Sequence, residues 1–157
     1  MKGDYIIMKN KFSNFKDFKD FKFELIDLSD VGIAELYINS TGITFSKKCI
    51  EDLGYPGHVR TFIDPENNVF AIQACKQSDY RSKTFSKPKN EQTGSVSFAS
   101  GRLLRMLRSM IPNSNAECRY RIQAVLLLDG KSMIFDLSAT EEMPLYTPNG
   151  ARTKVAE

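Results

Sequence analysis

The chain has 157 residues, 41% of them hydrophobic, with 22 Lys and Arg against 19 Asp and Glu and a single histidine. That length suits one domain or two small lobes sharing a core, and that apolar share excludes a chain disordered by composition. No apolar run approaches the roughly 20 residues needed to cross a bilayer, and MKGDYIIMKNKFSNF lacks the apolar stretch of a secretory signal, so we expect a cytoplasmic protein with no membrane partner.

In chain order, Phe12, Phe15, Phe18 and Phe21 recur every third residue. Three residues fall short of a full α-helical turn, so rings so spaced spread around a helix instead of forming one stripe. We therefore expect a short helix or turn to about residue 20, then a strand from the alternation of Phe21, Phe23 and Leu25. Interleaved Phe and Lys suit base stacking or partner docking, and Phe12, Phe15 and Phe18 are the candidate partner-binding residues. The plainer alternative is packing against the body.

IAELYIN and GITFS read as strands, and Ser46 stands where its side chain can cap the short helix that Gly54 closes. HVRTFID and VFAIQAC form a hairpin through Pro65-Glu66-Asn67-Asn68. KQSDYRSKTFSKPKNEQTG is polar, basic and without period, and reads as a linker. SVSF then gives a strand, and GRLLRMLRSMI a helix with Leu103, Leu104, Leu107 and Ile111 on its apolar face. ECRYRIQAVLLL and SMIFDL follow as strands joined at Asp129-Gly130, a strong hairpin signal. On the first of these, Tyr120, Ile122 and Leu126 are expected to face the core.

The order of elements thus recurs. Gly42-Ile43-Thr44-Phe45-Ser46 followed by Ile50 matches Ser95-Val96-Ser97-Phe98-Ala99 followed by Leu103, and each copy continues into a helix and a hairpin. One β-α-β-β unit cannot cover its own sheet, whereas two can share a core. The expected fold is α+β and strand-rich, with two tandem β-α-β-β units packed as a pseudo-symmetric barrel or sandwich. The segments are an arm and first strand over 1–30, a first unit over 31–76, a basic linker over 77–93, a second unit over 94–138 and a tail over 139–157.

GITFSKKCIEDLGYPGHVRTFIDPENNVFAI resembles the swapped-hairpin unit of AbrB-like proteins, through Gly42, Ile43, Thr44, Lys47, Leu53, Gly54, Val59 and the hairpin to Ile72. Two copies in one chain resemble the MraZ type, and the FSK junction resembles small phage and mobile-element proteins. The resemblance implies a dimeric or pseudo-dimeric barrel that binds DNA through basic residues. Ile43 stands where such proteins usually carry Arg, and Ser46 and Ala99 where Pro is common.

Catalytic patterns are thin. Ser46-Lys47 would need a buried, deprotonated lysine to work as a nucleophilic pair, and His58 has no nucleophile signature around it. Cys49, Cys75 and Cys118 lack the spacing of a zinc site and read as reduced thiols. No enzyme activity, metal or cofactor is expected. Charge is more informative: residues 81–131 hold ten Lys and Arg against three acids. Arg102, Arg105 and Arg108 step by three along one helix, Arg119 and Arg121 share one face of a strand, and Lys131 follows the second hairpin turn. If those surfaces adjoin, they can grip phosphates or carboxylates; otherwise they are solvated faces. The expected function is a small nucleic-acid-binding regulator. The alternative is a phage-encoded inhibitor of a bacterial immune system that covers an acidic or nucleic-acid-binding protein or sequesters a nucleotide. A homodimer is left open.

Overall fold

The computed structural model describes residue 14, residues 17–26 and residues 32–145. The chain divides into two compact units, Met1–Asp30 and Val31–Glu157. In the first, Phe18–Asp20 make a single 3-10 turn, and Asp17 N donates to Asp20 Oδ2 across 3.0 Å. The strand expected from Phe21 is not there: residues 21–26 take a bend and irregular backbone. Alternation yields a strand only where another strand offers ladder partners. Here the rings turn to one another instead, Phe23 lying 4.5 Å from Phe18 and 4.9 Å from Phe21 between centroids. Phe12 and Phe15 lie outside the described residues.

The second unit contains nine strands and two α-helices among the described residues. They run β1 (Glu35–Ile38), β2 (Ile43–Phe45), α1 (Lys47–Asp52), β3 (His58–Asp64), β4 (Val69–Cys75), β5 (Lys83–Thr84), β6 (Val96–Phe98), α2 (Gly101–Met110), β7 (Cys118–Leu126), β8 (Ser132–Asp136) and β9 (Glu141–Pro144). One antiparallel sheet follows the order β5-β3-β4-β8-β7-β1-β2-β6, with β9 added on β7. The sheet curls, so that its two ends approach: Lys83 Nζ of β5 lies 4.7 Å from the Phe98 ring of β6, and the Phe85 ring 6.0 Å from it. Side chains, not ladder bonds, close that seam.

Alternation in the strands fills the curl. Leu36, Ile38, Ile43, Phe45, Val59, Phe70, Ile72, Tyr120, Ile122, Met133 and Phe135 are all buried. Phe45 is the hub, with Phe85, Phe98 and Phe135 set edge-on at 5.3, 5.3 and 5.8 Å. Each such side chain contributes about 1.5–3 kcal/mol by leaving water.

The repeat is visible in the register. Thr44 pairs with Ser97, its own counterpart, and Ile43↔Phe98 and Phe45↔Val96 exchange counterparts around it. Thr44 Oγ1 and Ser97 Oγ are 2.8 Å apart. The hairpins behave the same way. Phe62↔Ala71 and Val125↔Ile134 are corresponding pairs, nine residues apart in each turn (62 to 71, 125 to 134). Between the hairpins, Ala71 pairs with its counterpart Ile134, flanked by Phe70↔Phe135 and Ile72↔Met133. A pseudo-two-fold axis therefore passes through both contacts. The offset between copies widens from strand to hairpin partly because α2 has 10 residues where α1 has 6. It widens further because the connection after α2 is longer and the paired residue lies further along β7 than along β3.

Four expectations change. The linker contributes β5 and buries Phe85 and Ser86, because two paired residues are too few to show a period. The tail contributes β9. Leu126 is 42% exposed, lying past the core at the end of β7. Ser46 holds the N-cap position of α1, yet its hydroxyl donates to Ile33 O and accepts from Glu35 N, both at 2.9 Å. It ties the start of β1 to the helix rather than capping the helix.

Candidate nucleic-acid interface

α2 is where charge and scaffold meet. Its Ser100 is a true cap, accepting from Leu103 N at 3.2 Å. Leu104, Leu107 and Met110 are buried, so the helix lies flat on the core and turns Arg102 and Arg105 to solvent. Arg108, one turn further, is drawn inward. Its Nη2 donates to Asn39 O at 2.9 Å, its Nη1 to Asn115 O at 3.2 Å, and its plane lies 5.7 Å from the Tyr120 ring. That guanidinium fastens two loops across the helix, with two of its donors committed to carbonyls and its orientation fixed by the fold.

On β7, Tyr120 and Ile122 point to the core, and Arg119 and Arg121 to the other face. Arg119 lies over the Tyr37 ring at 5.6 Å. Arg121 is occupied. Its Nε is 3.1 Å from Glu35 Oε2, and its Nη2 bonds Glu141, which β9 brings into direct register opposite it. Glu35 sits diagonally across from it on β1. A shallow cleft of about 270 Å³ opens here, lined by Ile33, Gln123 and Thr140 beside this trio. With two carboxylates to one guanidinium, it offers no anion site. Lys131 is exposed at the second hairpin turn, just ahead of β8.

The five arginines thus separate into Arg102 and Arg105 free to solvent, Arg119 stacked on Tyr37, and Arg108 and Arg121 bound within the fold. Sequence reasoning missed the last two commitments because their partners are carbonyls and acids distant in the chain. It also passed over Tyr80 and Arg81 in the linker. Tyr80 is 76% exposed and carries the Arg81 guanidinium 5.1 Å from its ring centroid. An exposed aromatic beside a cation was a signal available in the string DYRSK.

The comparisons with known proteins are silent. No family model, no curated protein and no solved structure matches the chain. Among the described residues no helix is long and apolar enough to cross a membrane. The Ser46-Lys47 pair has a structural use instead, its hydroxyl proton being directed at a carbonyl. Cys49 is buried beside it, donating to Glu35 O at 3.4 Å, and burial pushes its thiol up to about 11. A thiol held neutral is a poor nucleophile at neutral pH.

Proposed function

We propose that the protein is a small nucleic-acid-binding regulator of the AbrB-like, tandem kind, acting without catalysis. One observation carries this reading. Among the described residues, nine of the ten cations in 81–131 form no ion pair, Arg121 being the exception. Positive charge left unneutralised over one half of a fold favours a polyanion. Arg102 and Arg105 on α2, with Arg119, Lys131 and the Tyr80-Arg81 stack, are the groups available to it. The interlaced pseudo-two-fold arrangement of the two units supports the tandem swapped-hairpin resemblance.

Anisotropy titrations with labelled single- and double-stranded DNA and RNA, over about 50–200 mM salt, test this. Phosphate contacts predict affinity falling steeply with salt. Arg102→Glu with Arg105→Glu should lower affinity at least about tenfold and flatten the log–log salt slope by about two. Arg121→Ala should leave both unchanged. No binding at the lowest salt ends the reading.

A second reading is supported by the first unit. Phe18, 78% exposed, stacks in a cluster with Phe21 and Phe23, beside exposed Leu25 and Ile26. Apolar surface of that kind suits a protein partner, as an inhibitor of an acidic or nucleic-acid-binding protein requires. Native mass spectrometry distinguishes the two: a retained protein favours inhibition, a retained oligonucleotide favours regulation.

A further inference from the structure

The row of residues that runs through the pseudo-two-fold axis on the outer face of the sheet is apolar from edge to edge. The ladders set Phe62, Ala71, Ile134 and Val125 side by side on β3, β4, β8 and β7. Paired residues project to the same side of a sheet, and their neighbours Phe70, Ile72, Met133 and Phe135 take the other side, in the core. Phe62 is 44% and Val125 53% exposed. On one side of this row stand Arg60, Gln73 and Ser132; on the other, Asp64, Val69 and Asp136.

We propose that this face is a self-association surface, on which two copies of the chain stack about a two-fold axis lying along the apolar row. Rotation about that axis sets Phe62 on its own copy and reverses the strand direction. Arg60 of one chain then lies over Asp64 of the other, a contact occurring twice as a two-fold interface requires. The face is self-complementary in charge as well as in apolarity. Its carboxylates also disfavour a phosphate backbone.

Arg60 supplies the second argument. Within one chain it stands four residues from Asp64 on an extended strand, roughly 13 Å along the backbone, and among the described residues it forms no ion pair. Its Nε is buried with no hydrogen-bond partner, while its guanidinium lies 5.7 Å from the Phe62 ring. The half-buried guanidinium is thus held against the sheet without an acid of its own chain, and a carboxylate arriving from a facing copy can pair with its accessible part.

The area sets the strength. Four strands about 4.8 Å apart and three rows about 6.8 Å apart make a face of roughly 400 Å². That is about half of what each partner buries in a stable interface, so the dimer is concentration-dependent, not obligate. This inference stands apart from nucleic-acid binding.

Sedimentation equilibrium of the full chain from about 10 to about 500 µM covers the range of such a contact. Wild type should pass from monomer to dimer, and Phe62→Asp or Val125→Asp should remain monomeric, each with a thermal melt confirming its fold. Arg60→Asp alone and Asp64→Arg alone should each weaken association about tenfold. The double reversal should restore it to within about threefold of wild type, which no loss of folding can imitate. A wild type monomeric throughout, single reversals without effect, or a double reversal that fails to restore association would each overturn the proposal.

Discussion

Gly42 is the residue whose identity the fold depends on most directly. A Cβ built there runs into Phe98 O and lies 3.2 Å from Ala99 Cα, both backbone atoms that a side-chain rotation cannot move. Gly42→Ala should therefore cost roughly 1–3 kcal/mol through overpacking, read as a lower urea midpoint at unchanged slope. Gly57→Ala, with nothing within 4 Å of its Cβ, should stay within about 0.5 kcal/mol of wild type. Cys49 makes a second residue-scale prediction. Since burial raises its thiol to about 11, an alkylating reagent at pH 8 should modify half-buried Cys75 and Cys118 first and reach Cys49 only in denaturant. Peptide mass mapping of the labelled protein checks the order. In the sequence, the glycine announced the start of a strand, but the close approach that requires it joins two segments far apart in the chain. Ser46 was legible as a junction residue; its actual partners, on Ile33 and Glu35, were not.

Among the elements, the two hairpin turns carry acids held by donors. Asp129 accepts from Lys131 N, Ser132 N and Ser132 Oγ, and the Lys131 N–H foremost keeps its carboxyl below the usual range. Asp64 is lowered likewise, chiefly by the Asn67 side chain. Both pKa values are depressed on folding. Their contribution is thus fully present above the ordinary carboxylate range and disappears as pH falls through the native values. Urea midpoints should fall between pH 5 and pH 2, and Asp129→Asn should make that fall shallower. The turn sequences were readable because Asp-Gly and Asn-Asn act locally. α2 was readable too, its leucines and arginines separating at helical spacing. β5 and β9 were not: a two-residue strand has no period, and Glu-Glu-Met-Pro reads as a solvated tail until Arg121 is seen opposite it.

At the scale of the whole 31–157 unit, each repeat pairs its own hairpin, β3 with β4 or β7 with β8, but neither completes the sheet from its own strands. β2 pairs with β6 and β4 with β8, while β1 of the first unit lies between its own β2 and β7 of the second. Separately expressed 31–93 should show no cooperative thermal transition by circular dichroism, since its core strands lose their partners. A chain nicked at the 88–91 turn should keep its halves together on gel filtration and come apart only in denaturant. The duplication was readable from Ile43-Thr44-Phe45 and Val96-Ser97-Phe98. The axis was not, because it depends on which strand pairs with which.

The two copies agree in backbone and differ in charge. On α1, Lys48 is neutralised by Glu51 and Asp52 at 3.6 and 3.3 Å, whereas α2 has no acid at all. Two identical subunits would have presented every arginine in duplicate, at positions suited to a palindrome. On the proposed nucleic-acid reading, a single chain with one charged helix would contact its target once and in one direction. At concentrations below those at which two copies stack, a bound oligonucleotide should saturate at one per chain, and an inverted-repeat sequence should gain no advantage over a direct one.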